Sequence, residues 1–157
     1  MSTEPNPHKK VHTFLHQHPM GVLSTVDGDG KPWGSAIYYV ADADFNFYFV
    51  TRVETFKFGN VEARPFAALT IADPDNQTTV QVAGEITKVP VHEYMATLFD
   101  KLADIHRDGD VNWAPPISKV HAGNFMPLRL TPTKLQYADF KQKKSDIHTD
   151  YIKHILP

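Results

Sequence analysis

Apolar positions change their period several times along the chain, and each change marks the edge of an element. Val11, Phe14 and Leu15 recur at helical spacing behind Pro5 and Pro7 until Pro19-Met20-Gly21 stops the pattern, which predicts a short N-terminal helix. A strand over 22–26 comes next, and Asp27-Gly28-Asp29-Gly30 supplies a hairpin turn into a second strand over 33–40. After a turn at 41–44, residues 45–51 carry large apolar groups at both odd and even positions, so neither face of that strand is expected to be fully solvated.

Residues 54–63 read as a short helix terminated by Arg64-Pro65, and 67–72 as a strand stopped by Asp73-Pro74-Asp75-Asn76. The cleanest alternation follows: Val80, Val82 and Ile86 share one face with Gly84, which marks a bulge or a close backbone approach. Pro90 opens a helix with Val91, Tyr94, Met95, Leu98, Phe99, Leu102 and Ile105 on one stripe, ended by Asp108-Gly109-Asp110. Beyond an irregular loop through Trp113, Pro115 and Pro116, two strands are predicted over 125–131 and 134–140, divided at Pro132. Ile147, Tyr151, Ile152 and Ile155 then fall at helical spacing, predicting a final helix. About six or seven short strands with few helices predict a mainly β protein with flanking helices, a closed or nearly closed antiparallel barrel, which removes exposed edges.

Composition narrows the function classes. A chain of 157 residues suits one domain, 1–157, able to bury roughly two thirds of its unfolded surface. Net charge is −2 and basic residues are interspersed with acidic ones, so no nucleic-acid partner is expected. The absence of cysteine excludes disulfides, a thiolate nucleophile and Cys-ligated zinc or iron–sulfur sites. No run approaches the roughly 18 apolar residues of a membrane span, and residues 1–10 hold no apolar core, so a soluble, unexported, cytoplasmic protein is expected.

Side-chain chemistry is scarce. Gly28 and Gly30 do not extend to a dinucleotide fingerprint, and neither a G-x-S-x-G elbow nor a G-x-x-x-x-G-K-[ST] loop occurs. A calcium loop beginning near Asp104 has Pro115 where the bidentate glutamate belongs, so this stretch reads as a helix end. His8, His12 and His16 are spaced four apart, as helical zinc ligands can be, but no glutamate base lies between them and no metal is assigned. Asp73, Asp75, Asp108 and Asp110 sit in turns, where aspartate serves local hydrogen bonding. What remains is the strand end at Thr51 running into Thr55 and Lys57. Two readings fit it: an anion cradle at a helix start, or threonine caps beside a solvated lysine. A barrel without its own nucleophile, yet with a phosphate-friendly strand end, suits a borrowed redox cofactor.

The order Val22-Leu23-Ser24-Thr25-Val26, Gly30-Lys31-Pro32, Phe47-Tyr48-Phe49-Val50-Thr51, Thr55-Phe56-Lys57, Glu62-Ala63-Arg64-Pro65 and Val80-Gln81-Val82-Ala83-Gly84 resembles the pyridoxamine 5′-phosphate oxidase-like, flavin-binding split-barrel superfamily. Leu128-Arg129-Leu130-Thr131-Pro132 and 135–140 resemble its closing strands. The resemblance implies a split β-barrel homodimer with flavin mononucleotide (FMN) at the subunit interface and a small-molecule substrate or electron donor. It places Ser35, Ala36 and Ile37 along the flavin, Val50 and Thr51 at the strand end, Thr55 and Lys57 at the phosphate, and Thr79 where a partner-subunit glutamine reaches the flavin.

Departures from the family pattern are specific. Ser35 and Phe56 stand where the oxidases of pyridoxamine phosphate have arginine, Val40 lies near a second basic position, and Ala138 replaces a tryptophan. The Arg-Leu-His stretch that grips substrate phosphate has no counterpart in 146–157, so the resemblance does not carry vitamin B6 oxidation with it. It implies an FMN-binding protein, as an oxidoreductase or alternatively as a flavin- or haem-sequestering or redox-sensing protein; related barrels also take deazaflavin. Haem would need an axial ligand, for which His106 and His121 are the candidates. Trp113 and His121 mark a loop that either walls the substrate side or packs on the barrel.

Overall fold

Period-2 burial runs through the strands as the sequence pattern requires. In Phe66–Asp73 every second residue is buried, and in Thr78–Lys88 the buried set is Thr78, Val80, Val82, Gly84 and Ile86. The computed structural model describes residues 6–90, 98, 100–105, 124–141 and 150–156. Its elements in chain order are α1 (Pro7–Gln17), β1 (Met20–Val26), β2 (Pro32–Tyr38), β3 (Val40–Ala41), β4 (Phe47–Arg52), α2 (Phe56–Ala63), β5 (Phe66–Asp73), β6 (Thr78–Lys88), β7 (Phe125–Asp139) and β8 (Ile152–Leu156).

All pairings among them are antiparallel, in the order β2-β1-β5-β6-β7-β4-β3, with β8 added to β7. The two ends of that path, β2 and β3, are consecutive in the chain and separated only by Tyr39. One chain segment thus pairs with β1 through its first half and with β4 through its second, curling the sheet into the split barrel that the strand count predicts. Leu23, Phe47, Phe49, Leu69, Ile71, Val80, Leu130 and Leu135 fill the interior. Opposite ends are plugged by helices: α1 inserts Val11, Phe14 and Leu15, and α2 inserts Val61.

Tyr39 interrupts the strand expected over 33–40. Its N–H donates to Pro19 O and its buried hydroxyl donates to His18 O at 2.6 Å, so this residue ties the corner to the end of α1. Phe45, expected inside the next strand, takes φ 62 in the turn instead. Asp42 organises that turn by accepting from Asp44 N, Asn46 N and Asn46 Nδ2, and the Phe45 ring is buried against His12, with centroids 4.1 Å apart.

Two further expectations are corrected. The pair of strands divided at Pro132 is one continuous β7, because Pro132 falls opposite Gly84 where the β6–β7 register shifts, and a bulge accommodates the missing N–H. The predicted final helix is β8, since β4 covers β7 only from Phe125 to Leu130 and the open edge beyond, Leu135 to Ala138, takes the tail as a strand. Among the described residues seven strands follow one path, as expected, and β8 adds an eighth on β7. Leu98 and Leu102 are buried and Asp104 N donates to Asp100 O at 2.9 Å, in keeping with the expected helix; Val91, Tyr94, Met95 and Phe99 lie outside the described residues.

Candidate functional site

The end of the barrel covered by α2 gathers hydroxyls and a cation. Thr51 closes the inward-facing row of β4 and is only 3% exposed, because the alternation that buries Phe47 and Phe49 buries position 51 as well. A buried hydroxyl needs a partner, and Thr51 Oγ1 lies 3.1 Å from Thr55 Oγ1. Thr55 sits at the N-cap of α2 with extended backbone, but its side chain makes no capping bond; its hydroxyl donates to Arg52 O at 2.8 Å. The capping explanation of Thr55 therefore fails at the level of the hydroxyl, and the first N–H groups of α2 keep their anion-facing character.

Lys57, on the first turn of α2, is half-buried, and loss of solvent pulls its ammonium below the ordinary lysine range. Neighbouring cations are committed: Arg52 pairs with Glu54 at 3.1 Å, Lys88 with Glu62 at 2.8 Å, and Arg64 donates to Gly28 O at 2.8 Å. Among the described residues no carboxylate lies within 4.0 Å of Lys57. A partly desolvated ammonium without a counter-ion, beside two hydroxyls and a helix start, matches the donor set of a phosphate group. Phe56 adds no charge to this set; its ring is 72% exposed and meets Trp33 edge-on, with centroids 5.0 Å apart.

Strand β2 supplies the second part of the site. Ser35, Ala36 and Ile37 pair with Leu23, Val22 and Gly21 of β1, and among the described residues the other edge of β2 carries no strand. Half of the backbone groups on that segment are thus available along one open edge. Ile37 is buried, so only its backbone faces outward, whereas Ala36 is exposed. Val50 precedes Thr51 on β4, half-buried opposite Pro127.

Thr79 is not brought to this cluster within one chain. It lies half-buried on β6 between Ala72 and Ala138, with β5 and β1 between it and β2. Trp113, His106 and His121 lie outside the described residues. His12 is engaged with Ala43 O and the Phe45 ring, and among the described residues no group of three or more His, Asp or Glu side chains is placed to hold a metal. The sequence reading missed Asn60, whose amide crosses to β1 inside the protein; its signal was an amide at a poor helix position within an otherwise apolar turn.

A family model described as pyridoxamine 5′-phosphate oxidase matches residues 7–138. A pyridoxine/pyridoxamine 5′-phosphate oxidase of Pseudomonas putida (strain GB-1) is 32% identical over 103 residues, which cover 64% of this chain and 46% of that protein. The chain thus spans less than half the length of this relative. Among solved structures, a pyridoxamine 5′-phosphate oxidase-related, FMN binding protein from Nostoc punctiforme PCC 73102 superposes with a TM-score of 0.64 at 15% identity, covering 100% of both chains. A heme binding protein from Mycobacterium smegmatis superposes at 0.69 and 15% identity over 98% of this chain and 59% of that one. At such identities these two likenesses show the fold alone.

Proposed function

Because this chain belongs to the pyridoxamine 5′-phosphate oxidase family, we propose that it binds flavin mononucleotide, with Thr51, Thr55 and Lys57 at the phosphate, and acts as a flavin-dependent oxidoreductase on a small organic molecule. The observation that carries the reading is Lys57: a half-buried ammonium, with no described counter-ion, beside two hydroxyls at a helix start. The donors fit a phosphate monoester, which takes one charge-assisted bond from the lysine and others from hydroxyls and N–H groups. The flavin would supply the ring that exchanges a hydride equivalent with the donor or substrate. The chain's own task is to hold that ring along the open edge of Ser35–Ile37 and to shield it from water.

Assembly completes the site in this proposal. The outer face of β2, β1 and β5 presents Met20, Val22, Ala36, Phe66, Ala68 and Ala72, with Ser24 and Thr70 as polar members of the same rows, so it is more apolar than a sheet facing water requires. A second copy of the chain would cover this face and bring its Thr79 towards the flavin. Ser35 and Phe56, in place of the family's arginines, point the chemistry away from phosphorylated vitamin B6.

The test is an absorption spectrum followed by titration. The purified protein is expected to carry or take up FMN, to bleach when a nicotinamide donor is added, and to bind FMN roughly ten- to a hundredfold more weakly as Lys57→Ala, given the strength of hydrogen bonds to charged groups. A colourless protein that ignores added FMN ends the proposal. Tight binding with no turnover, against a range of donors and acceptors, assigns the alternative role of flavin sequestration.

A further inference from the structure

We propose that Asn60 is a positioning residue: its buried amide fixes the rotation of α2 so that Lys57 and Thr55 face the bound phosphate, an inference resting on the reading of that cluster as a phosphate cradle. Asn60 is 8% exposed and Thr25 is fully buried; Asn60 Nδ2 donates to Thr25 Oγ1 at 3.0 Å, and Thr25 Oγ1 in turn reaches Trp33 O at 3.4 Å. Thr25 and Trp33 are cross-strand partners, so this chain of bonds ends on both strands of the β1–β2 hairpin.

Nothing in α2 itself calls for asparagine there. In a helix of eight residues an asparagine is a poor helix former, and an apolar side chain would better serve a site beside Val61. A buried amide repays its desolvation only through its bonds. Asn60 lies three residues beyond Lys57, so the two are neighbours on the helix surface, and fixing the amide fixes the direction in which Lys57 leaves the helix. Two other polar or ring contacts of α2 with the hairpin among the described residues, the Arg64 bond to Gly28 O and the Phe56–Trp33 ring contact, lie at the surface. The Asn60 bond lies inside.

FMN and riboflavin differ by the phosphate alone, so their affinities measured side by side separate positioning from general support of the fold. Asn60→Leu and Thr25→Val, which remove the same bond from opposite ends, are each expected to weaken FMN binding roughly tenfold while leaving riboflavin binding within about twofold. Thr25→Ser keeps the hydroxyl and is expected to retain the FMN-to-riboflavin ratio of the wild type. The double variant is expected to be no weaker for FMN than either single change. Equal losses for the two flavins, or no loss for FMN, overturn the proposal. Should Asn60→Leu fail to fold, the Thr25 pair decides it alone. A wild-type protein with no preference for FMN over riboflavin would instead refute the cradle reading beneath it.

Discussion

Lys57 is the residue whose surroundings say most about the proposed ligand. Burial lowers its pKa, so in the folded protein the ammonium gives up its proton below the 10.5 of an ordinary lysine. The sign follows directly. While Lys57 is charged its burial opposes folding, and that penalty fades as pH rises through the lowered value. Binding of an anion runs the other way, because it needs the ammonium. The ratio of FMN to riboflavin affinity is therefore expected to be highest above the second phosphate ionisation near about pH 6 and to decline as pH rises through the lowered Lys57 value, since ionisation of the shared ring cancels in the ratio. Fluorescence titrations of the two flavins across pH check this. A ratio that falls only within the ordinary lysine range would show that burial does not lower the Lys57 pKa, and one that never falls would remove Lys57 from the site.

At the scale of elements, the β6–β7 crossing is the least forgiving contact. A Cβ on Gly84 would stand 2.1 Å from Thr131 O and 2.9 Å from Pro132 Cα, both main-chain atoms that cannot swing aside. Gly84→Ala is expected to cost at least about 1–3 kcal/mol in urea unfolding, the usual penalty of forced overpacking. Gly28→Ala, which meets nothing within 4 Å, is expected to change little. The position of this crossing was legible in the sequence, since a lone glycine in a clean alternation signals a bulge or a close approach. Its effect on the partner strand was not, because Pro132 ends a strand in local terms, and only the bulge opposite lets β7 run through it. The tail misled for a similar reason: Ile152 and Ile155 satisfy a helical spacing, but an isolated helix that short is marginal in water whereas an open strand edge supplies tertiary partners, and no local pattern announces that edge. Thr51, Thr55 and Lys57 were legible as a candidate anion site because strand end, helix start and cation are neighbours in sequence. Asn60 was not, because its partner Thr25 lies 35 residues away.

At the scale of the molecule, the apolar outer face is where the proposed second copy would pack. Met20, Val22 and Phe66 are 50%, 46% and 64% exposed, on the two adjacent strands β1 and β5. Placing a charge at its centre as Val22→Lys is expected to turn a dimer into a monomer in light-scattering measurements and to weaken FMN binding with it. A wild-type protein that is already monomeric while binding FMN would discard the two-chain site. The corner at Tyr39 has a consequence of another kind, in time. Both hairpins it joins are made of near neighbours, and together with α2 they hold every described member of the proposed phosphate site within one unbroken stretch, Met20 to Arg64. The ring closes only when β4 meets β7, pairing Phe47 with Leu130 across most of the remaining chain. Local pairs form fast and distant ones slowly. A chain folding in that order would shape its phosphate grip early and seal its core last.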